Sequence, residues 1–431
     1  MRELSVGDKL KSLNNEDIIV QKKLGSGGQG DVYKVKFRGK DCALKWYDLA
    51  KMSNPREFYD HIKENLEIGN PCRGFLWPKA MTAWDDEEFG YVMELIPPSY
   101  VSFAQVLNDE DSEFSSTITQ IDAAMNLVEV FGHLHQIGCS YQDINEGNIF
   151  FNLNNGDVLV CDTDNVSKFG RNFGIAGTMG YMAPEVVRRQ ERPNTNTDLF
   201  SLAVALYVFF LYDHPLDGIQ REKMIADNGG FLDDSVRTRL YGTEPSFIFD
   251  NRSNNRPSPV LNSVSIDYYD RFPGFMKEAF QKSFSRGSLM NGTGRLLDSD
   301  WLYILAQLKS SLVKCPSCGE ESYVDEDISF CHECNYKLDS VGRIIVDNGL
   351  FQVPIVDGGH LYANGDGLYT KEVGLIERVG NTFFLNNTSD ESFITKRGSG
   401  TEMIVPIGAT VGIRDKLTIR FGTNIFKVNM R

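Results

Sequence analysis

Between Gly25 and Gly30, four of six residues are glycine. Gly25, Gly27 and Gly30 keep a Gly-x-Gly-x-x-Gly spacing, with Gly28 in addition. With no side chain in the way, the N–H groups of such a backbone can lie over phosphate oxygens. Downstream, "CALKWY" is an apolar run carrying one charge, Lys45. That lysine is either a surface residue on an edge strand or an ammonium that reaches phosphate and is held by a carboxylate. The helix-like run "NPREFYDHIKENLEIGN" offers Glu64 for that role, with Glu67 as the alternative. A different chemistry stands towards the C-terminal end, where Cys315-x2-Cys318 and Cys331-x2-Cys334 form two pairs separated by twelve residues. Four soft thiolates in tetrahedral reach select zinc, and an all-cysteine shell leaves no open position for catalysis. Disulfides are the competing reading. The N-terminal residues contain no apolar leader segment, which points to the cytoplasm, where disulfides are disfavoured. His332 is flanked by ligands and is not expected to be one itself.

Each group needs an element to position it. In a dinucleotide-binding fold a helix would follow the glycines. Here "DVYKVKF" alternates apolar residues at Val32, Val35 and Phe37. That pattern predicts a strand–turn–strand hairpin with the glycines at its tip. Lys45 falls on the next strand, and Val32 and Ala43 join the expected nucleotide-contacting positions. The apolar run "LFSLAVALYVFFLY" (Leu199–Tyr212) is shorter than the roughly 18 residues of a spanning helix and reads as a buried helix.

Four later segments complete a pattern. "HLHQIGCSYQDINEGNIFFN" contains Asp143, four residues and Asn148; fourteen residues on, the strand "DVLVCDTDN" presents Asp162. "GTMGYMAPE" (Gly177–Glu185) follows, and then "TDLFSLAVALY" and "GRLLDSDWLYIL". In order and spacing, this set resembles a protein kinase, whose catalytic loop reads His-Arg-Asp-x4-Asn. The resemblance implies ATP and Mg²⁺ as cofactors and Lys45, Asp143, Asn148 and Asp162 as the catalytic set. Asp143 would accept the proton of the attacking hydroxyl. Asn148 and Asp162 would hold magnesium, which prefers hard oxygen ligands. "YVMELIPP" (Tyr91–Pro98) would be the hinge: the backbone of Glu94 and Ile96 would bond an adenine edge, and Met93 would line the pocket. Asp198 would brace the catalytic loop, and Arg295 would pair with Glu185. Three positions depart from the family pattern. Gln142 replaces the arginine before the catalytic aspartate, and Asn145 replaces the lysine two residues after it. Asp164 stands where the family has glycine, and either joins the metal site or replaces that turn residue.

The last block, from Val341, alternates short β-rich runs with turns such as "DGGH", "NGDG" and "GTN". From Phe383 onward it resembles the later part of a forkhead-associated domain, a β-sandwich that often binds phosphothreonine. The family's early Gly-Arg and its Ser-x-x-His pair are not recognisable, so no binding site is assigned. A length of 431 residues suggests about two to four domains. The net charge of -15 argues against nucleic acid or an anionic membrane as the main partner. The expected fold class is α+β. A bilobal kinase-like domain would cover 1–312, with lobes at about 17–96 and 97–312. A zinc ribbon would follow at 313–340, and an all-β sandwich at 341–431. The expected function is a cytoplasmic Ser/Thr protein kinase acting on protein substrates. By resemblance it belongs to bacterial stress signalling, beside a metal-dependent protein phosphatase and a von Willebrand A-type protein. A pseudokinase scaffold and a small-molecule phosphotransferase are the alternatives. The "GTMGYMAPE" segment favours a peptide substrate.

Overall fold

The computed structural model describes residues 3–52, 54–84, 88–168, 171–172, 177–365 and 368–431. The N-terminal alternation becomes a six-stranded antiparallel sheet. Its strands are β1 (Lys9–Lys11), β2 (Asp17–Ser26), β3 (Gly30–Phe37), β4 (Lys40–Asp48), β5 (Ala80–Met81) and β6 (Glu88–Glu94), with β6 between β4 and β5. The glycines cap the β2–β3 hairpin, where Gly27 N–H donates to Gly30 C=O at 2.7 Å. At Gly30 the sheet itself demands glycine, since a Cβ there would sit 2.0 Å from the Trp46 carbonyl oxygen of β4.

Helix α1 (Pro55–Ile68) starts on a proline, whose missing N–H costs nothing in a first turn, and ends at Gly69 with φ 79°. Its buried face carries Phe58, Tyr59, His61, Ile62 and Asn65. Phe58 meets Tyr47 of β4 edge-on, with ring centroids 5.2 Å apart, so aromatic packing fixes the helix on the sheet.

The second lobe is helical. It contains α2 (Phe103–Asn108), α3 (Thr117–Gln136), α4 (Pro184–Val187) and α5 (Thr195–Leu211). Helices α6 to α10 follow (Ile219–Asp227, Asp234–Thr238, Ser263–Arg271, Gly274–Ser283 and Arg286–Asn291), and then α11 (Asp298–Ser311). The Asn194 side chain caps α5, and every residue from Thr197 to Leu211 is buried. The long apolar run is therefore the central helix of the lobe, apolar all round because it is surrounded by protein. Among the described residues no helix is long and apolar enough to cross a membrane.

Two small antiparallel sheets carry the loops of interest, and β7 (Val101–Ser102) lies at the edge of the first. Strands β9 (Ile149–Phe151) and β10 (Val158–Val160) pair antiparallel, with Ile149 opposite Val160. Strand β11 (Ser167–Lys168) returns to pair with β8 (Cys139–Ser140). The loops 141–148 and 161–166 are thereby held side by side. Beyond α11, β12 (Leu312–Lys314) pairs with β13 (Glu321–Tyr323) ahead of the second cysteine pair. Residues from Gly342 onward form antiparallel sheets of six and four strands. Val346 and Phe426 of one sheet and Ile376 and Leu385 of the other lie in one buried apolar cluster. Lys309 of α11, itself buried, ties this block to the helical lobe: its ammonium bonds Asp122 of α3 at 2.6 Å and lies over the Tyr362 ring at 4.3 Å.

Candidate active-site cleft and cysteine cluster

A cavity of about 360 Å³ opens between the β2–β3 hairpin and the two loops of the second lobe. Gly25, Gly27, Gly30, Val32, Lys45, Asp143 and Asp162 all line it. A Cβ at Gly25 or Gly28 would meet nothing within 4 Å, so the tip of the hairpin is open towards the cavity rather than packed. An apolar cluster adjoins it through Val32, which also lines the cavity. Ala43, Met93 and Leu159 are buried there, with Val32, Ile96, Phe150 and Cys161 packed against them. The cluster thus brings together Val32, Ala43, Met93 and Ile96, which the sequence singled out. It adds Leu159, Phe150 and Cys161, which the sequence did not. Glu94 ends β6 opposite Cys42, and its exposed carboxylate pairs with Lys79.

Lys45 does not meet the carboxylate expected of it. Its ammonium lies 2.8 Å from Asp164 Oδ2 and 3.2 Å from Asp162 Oδ1. Glu64 points away from the cleft, half exposed, and pairs with Arg171; Glu67 is exposed as well. The reason is helical phase. The buried stripe of α1 is Phe58, His61, Ile62 and Asn65, spaced i, i+3, i+4, i+7, and Glu64 falls about 100° around the helix from Asn65. The polar residues that do face the cleft loop are His61 and Asn65. His61 Nε2 lies 3.1 Å from the Asp164 carbonyl oxygen, and Asn65 donates to the Val166 carbonyl at 2.9 Å. Burial depresses the His61 imidazole to about 4, so it sits neutral there. Burial also opposes the Lys45 charge, but Asp164 and then Asp162 outweigh it and hold the ammonium above its ordinary value.

The two acids of the second lobe are set by backbone. Cys161 N–H donates to the Asn148 carbonyl at 2.9 Å, which places Asn148 beside Asp162. Asp162 takes a left-handed φ of 51°, and its side chain is 41% exposed, turned to the cleft. Its carboxyl is pushed up, first by its enclosure, against the pull of Lys45 and with the help of Asp164. Asn148 uses its amide nitrogen on the Asp143 carbonyl at 3.1 Å, not its oxygen. Asp143 Oδ1 accepts the Thr178 hydroxyl at 2.8 Å. Asn165 lines the cavity too, and its buried Oδ1 has no hydrogen-bond partner among the described residues. Nothing in the linear spacing had marked it.

The departures from the expected loop are also placed. Asp198, buried at the start of α5, accepts from Tyr141 N–H at 2.5 Å and Gln142 N–H at 3.0 Å. Gln142 adopts φ 74°, and its amide donates to Ser167 Oγ at 2.5 Å and the Arg171 carbonyl at 2.9 Å. A neutral side chain thus joins the catalytic loop to the start of the following segment. Asn145 donates to the Asp143 carbonyl at 2.9 Å and accepts from Gly147 N–H at 2.8 Å, so it stitches the loop internally. Arg295 forms a buried, two-pronged pair with Glu185 at 2.7 and 2.8 Å.

Comparison with known proteins agrees with this layout. The protein kinase domain matches residues 18–256, more than half of the chain. The chain belongs to the protein kinase family. Its kinase domain is 24% identical over 233 residues to a "probable serine/threonine-protein kinase" of Dictyostelium discoideum, covering 50% of this chain and 16% of that protein. It is 27% identical over 190 residues to rhodopsin kinase GRK1 of Rattus norvegicus, covering 43% and 33%. It is 22% identical over 222 residues to serine/threonine-protein kinase mos of Patiria pectinifera, covering 48% and 60%. The chain therefore spans less than two thirds of the length of these relatives.

C-terminal to the kinase domain, the four clustered cysteines converge. Their sulfurs all lie within 4.8 Å of one another, with 3.6 Å between Cys315 and Cys334 and between Cys318 and Cys331. Both pairs are built alike. Gly319 N–H donates to Cys315 C=O at 2.9 Å, and Asn335 N–H to Cys331 C=O at 3.0 Å; both residues have positive φ, 84° and 57°. Glycine and asparagine are the residues that tolerate that conformation most readily. His332 lies outside the sulfur set and bonds Ser322 Oγ at 2.9 Å. Cys42, Cys72, Cys139 and Cys161 are scattered free thiols.

Proposed function

We propose that this chain is an ATP- and magnesium-dependent Ser/Thr protein kinase that passes a γ-phosphoryl group to a protein hydroxyl. One observation carries the proposal: the glycine hairpin, Lys45 and Asp162 share a cleft with Asp143, whose carboxylate already holds a hydroxyl, that of Thr178. The residues present suit the nucleotide. The apolar cluster of Ala43, Met93 and Leu159 beside the cavity suits an adenine, and the open backbone at Gly25–Gly28 fits phosphate oxygens. Asp162 and Asn148 offer the carboxylate and amide oxygens that a magnesium ion takes. When bound, that ion would neutralise charge on the phosphates. Lys45 orients the phosphates by charge, Asp143 accepts the proton of the incoming hydroxyl, and Asp198 keeps the loop backbone in place.

The four-thiol cluster fits a structural zinc. A tetrahedron with Zn–S of about 2.3 Å has sulfur–sulfur edges of about 3.8 Å, close to the 3.6 Å separations here. We read residues 313–340 as a zinc ribbon and 341–431 as a forkhead-associated-like β-sandwich used for protein contact. By resemblance alone, the pathway is bacterial stress signalling in the cytoplasm, with a metal-dependent phosphatase and a von Willebrand A-type protein as partners.

The test is titration calorimetry with ATP and Mg²⁺, followed by phosphate incorporation into a generic protein substrate. Wild type takes up nucleotide and transfers phosphate. Asp143→Asn keeps the uptake and loses transfer, whereas Asp162→Asn weakens both. No uptake by wild type would sink the proposal. Uptake without transfer would favour a scaffold, a reading motivated by Asn145, which bonds its own loop and places no cation at the phosphates.

A further inference from the structure

Helix α1 was expected to supply the carboxylate that holds Lys45, and it does not. We infer that Asp164 is the positioning residue for Lys45, so that the lysine is anchored from the loop after β10 rather than from helix α1. This rests on the kinase reading of the cleft and names how its cation is held.

Three observations carry it. First, Asp164 is enclosed: its side chain is 0% exposed, against 41% for Asp162. Asp162 faces the cleft and remains available to a metal, whereas Asp164 is sealed behind it. Second, among the described residues Asp164 Oδ2 binds groups of β4, namely the Lys45 ammonium at 2.8 Å and the Tyr47 hydroxyl. Tyr47 is fully buried, so the hydroxyl cannot wander and the carboxylate is fixed on the strand that carries the lysine. Third, α1 acts on Asp164 through its backbone. His61 meets the Asp164 carbonyl and Asn65 the Val166 carbonyl, which braces the loop without placing a charge near Lys45.

A purely architectural role fits less well. The second oxygen, Oδ1, is buried without a hydrogen-bond partner among the described residues. An unmet buried carboxylate oxygen is costly, and a neutral side chain would shape the loop without that cost. The charge is useful because it offsets the buried ammonium. Asp164 and Asp162 together bracket Lys45, one fixed and one free to turn to a ligand. The position of α1 therefore does not decide whether the lysine is held.

The experiment uses the full chain as wild type, Asp164→Asn, Asp164→Asn/His61→Glu and Glu64→Gln/Glu67→Gln. Lys45 is labelled with an amine-directed activated ester and quantified by peptide mass spectrometry. In parallel, kcat and KM for ATP are measured separately, with a melting curve for each variant. In Asp164→Asn, Lys45 is expected to label several-fold faster, and kcat to fall at least tenfold with a smaller change in KM. Adding His61→Glu, which returns a carboxylate to the facing position of α1, restores slow labelling and part of kcat. The double Glu variant behaves as wild type. Wild-type labelling in Asp164→Asn, or no rescue by His61→Glu, overturns the inference. So does fast labelling in Glu64→Gln/Glu67→Gln, which decides the matter even if Asp164→Asn does not fold. Labelling needs no turnover, so a wild type that binds no nucleotide sinks the kinase proposal while the anchoring of Lys45 is still read.

Discussion

Asp143 is enclosed enough that burial raises its carboxyl above the ordinary value, with Thr178 and Asn145 pulling partly the other way. As the proposed base, Asp143 works only when deprotonated. Phosphate transfer is therefore expected to decline on acidification at a higher pH than for a free carboxylate, which titrates near about 4. A pH–kcat profile checks this. Asp143→Asn should remove the acid limb and lower kcat by about 10²- to 10⁴-fold. At this scale the sequence was legible where spacing alone sets which residues lie together. Asp143, Asn148 and Asp162 stand at set distances along the chain, and one short hairpin brings them together. It was illegible where a partner comes from a distant segment: 119 residues separate Lys45 from Asp164. The clue that was available lay in α1, whose buried stripe contains His61 and Asn65 but no acid.

The β2–β3 hairpin contains glycines of two kinds. Gly30→Ala would drive its Cβ into the Trp46 carbonyl of β4, whereas Gly28→Ala meets open space. Gly30→Ala should cost about 1–3 kcal/mol and lower the denaturation midpoint. Gly28→Ala should leave the midpoint unchanged. The spacing already sets Gly28 outside the Gly-x-Gly-x-x-Gly pattern, but only the cross-strand register shows that the sheet itself requires Gly30. Helix termini meet at His135 of α3, whose ring lies 2.8 Å from Asp298 of α11 and 3.3 Å from Asp198 of α5. Burial opposes its charge, yet the two carboxylates prevail and raise it from 6.5 to about 9. A raised folded value favours the protonated, folded form. The stabilisation, on the order of 3 kcal/mol, is complete below pH 6.5 and is lost as pH climbs to about 9. Melting temperatures measured across that window should fall for wild type and stay flatter for His135→Gln.

In the whole molecule, the cysteine segment is the part least able to hold itself. Among the described residues, its apolar cluster is Val313, Cys315, Val324, Cys331 and Leu338, joined by Val356 of the C-terminal block. A segment this small is expected to depend on the proposed zinc for its fold. Purified protein should contain about one zinc per chain. Chelation should expose Cys315 and Cys331, both buried here, to a thiol reagent, while the melting of the kinase domain changes little. Absence of zinc together with unreactive thiols would overturn this assignment. Patterns that are local in the chain needed no tertiary information: the alternation of β3, the apolar run Leu199–Tyr212 that forms most of α5, the two cysteine knuckles and the ordered string of kinase motifs. Each of these depends on a fixed repeat or spacing that the covalent chain itself imposes. The tertiary structure alone decided which carboxylate holds Lys45, which glycine the sheet requires and how α11 joins the helical lobe to the C-terminal sheets. Those choices depend on contacts between segments far apart in sequence, where helical phase and strand register, rather than order along the chain, determine which side chains meet.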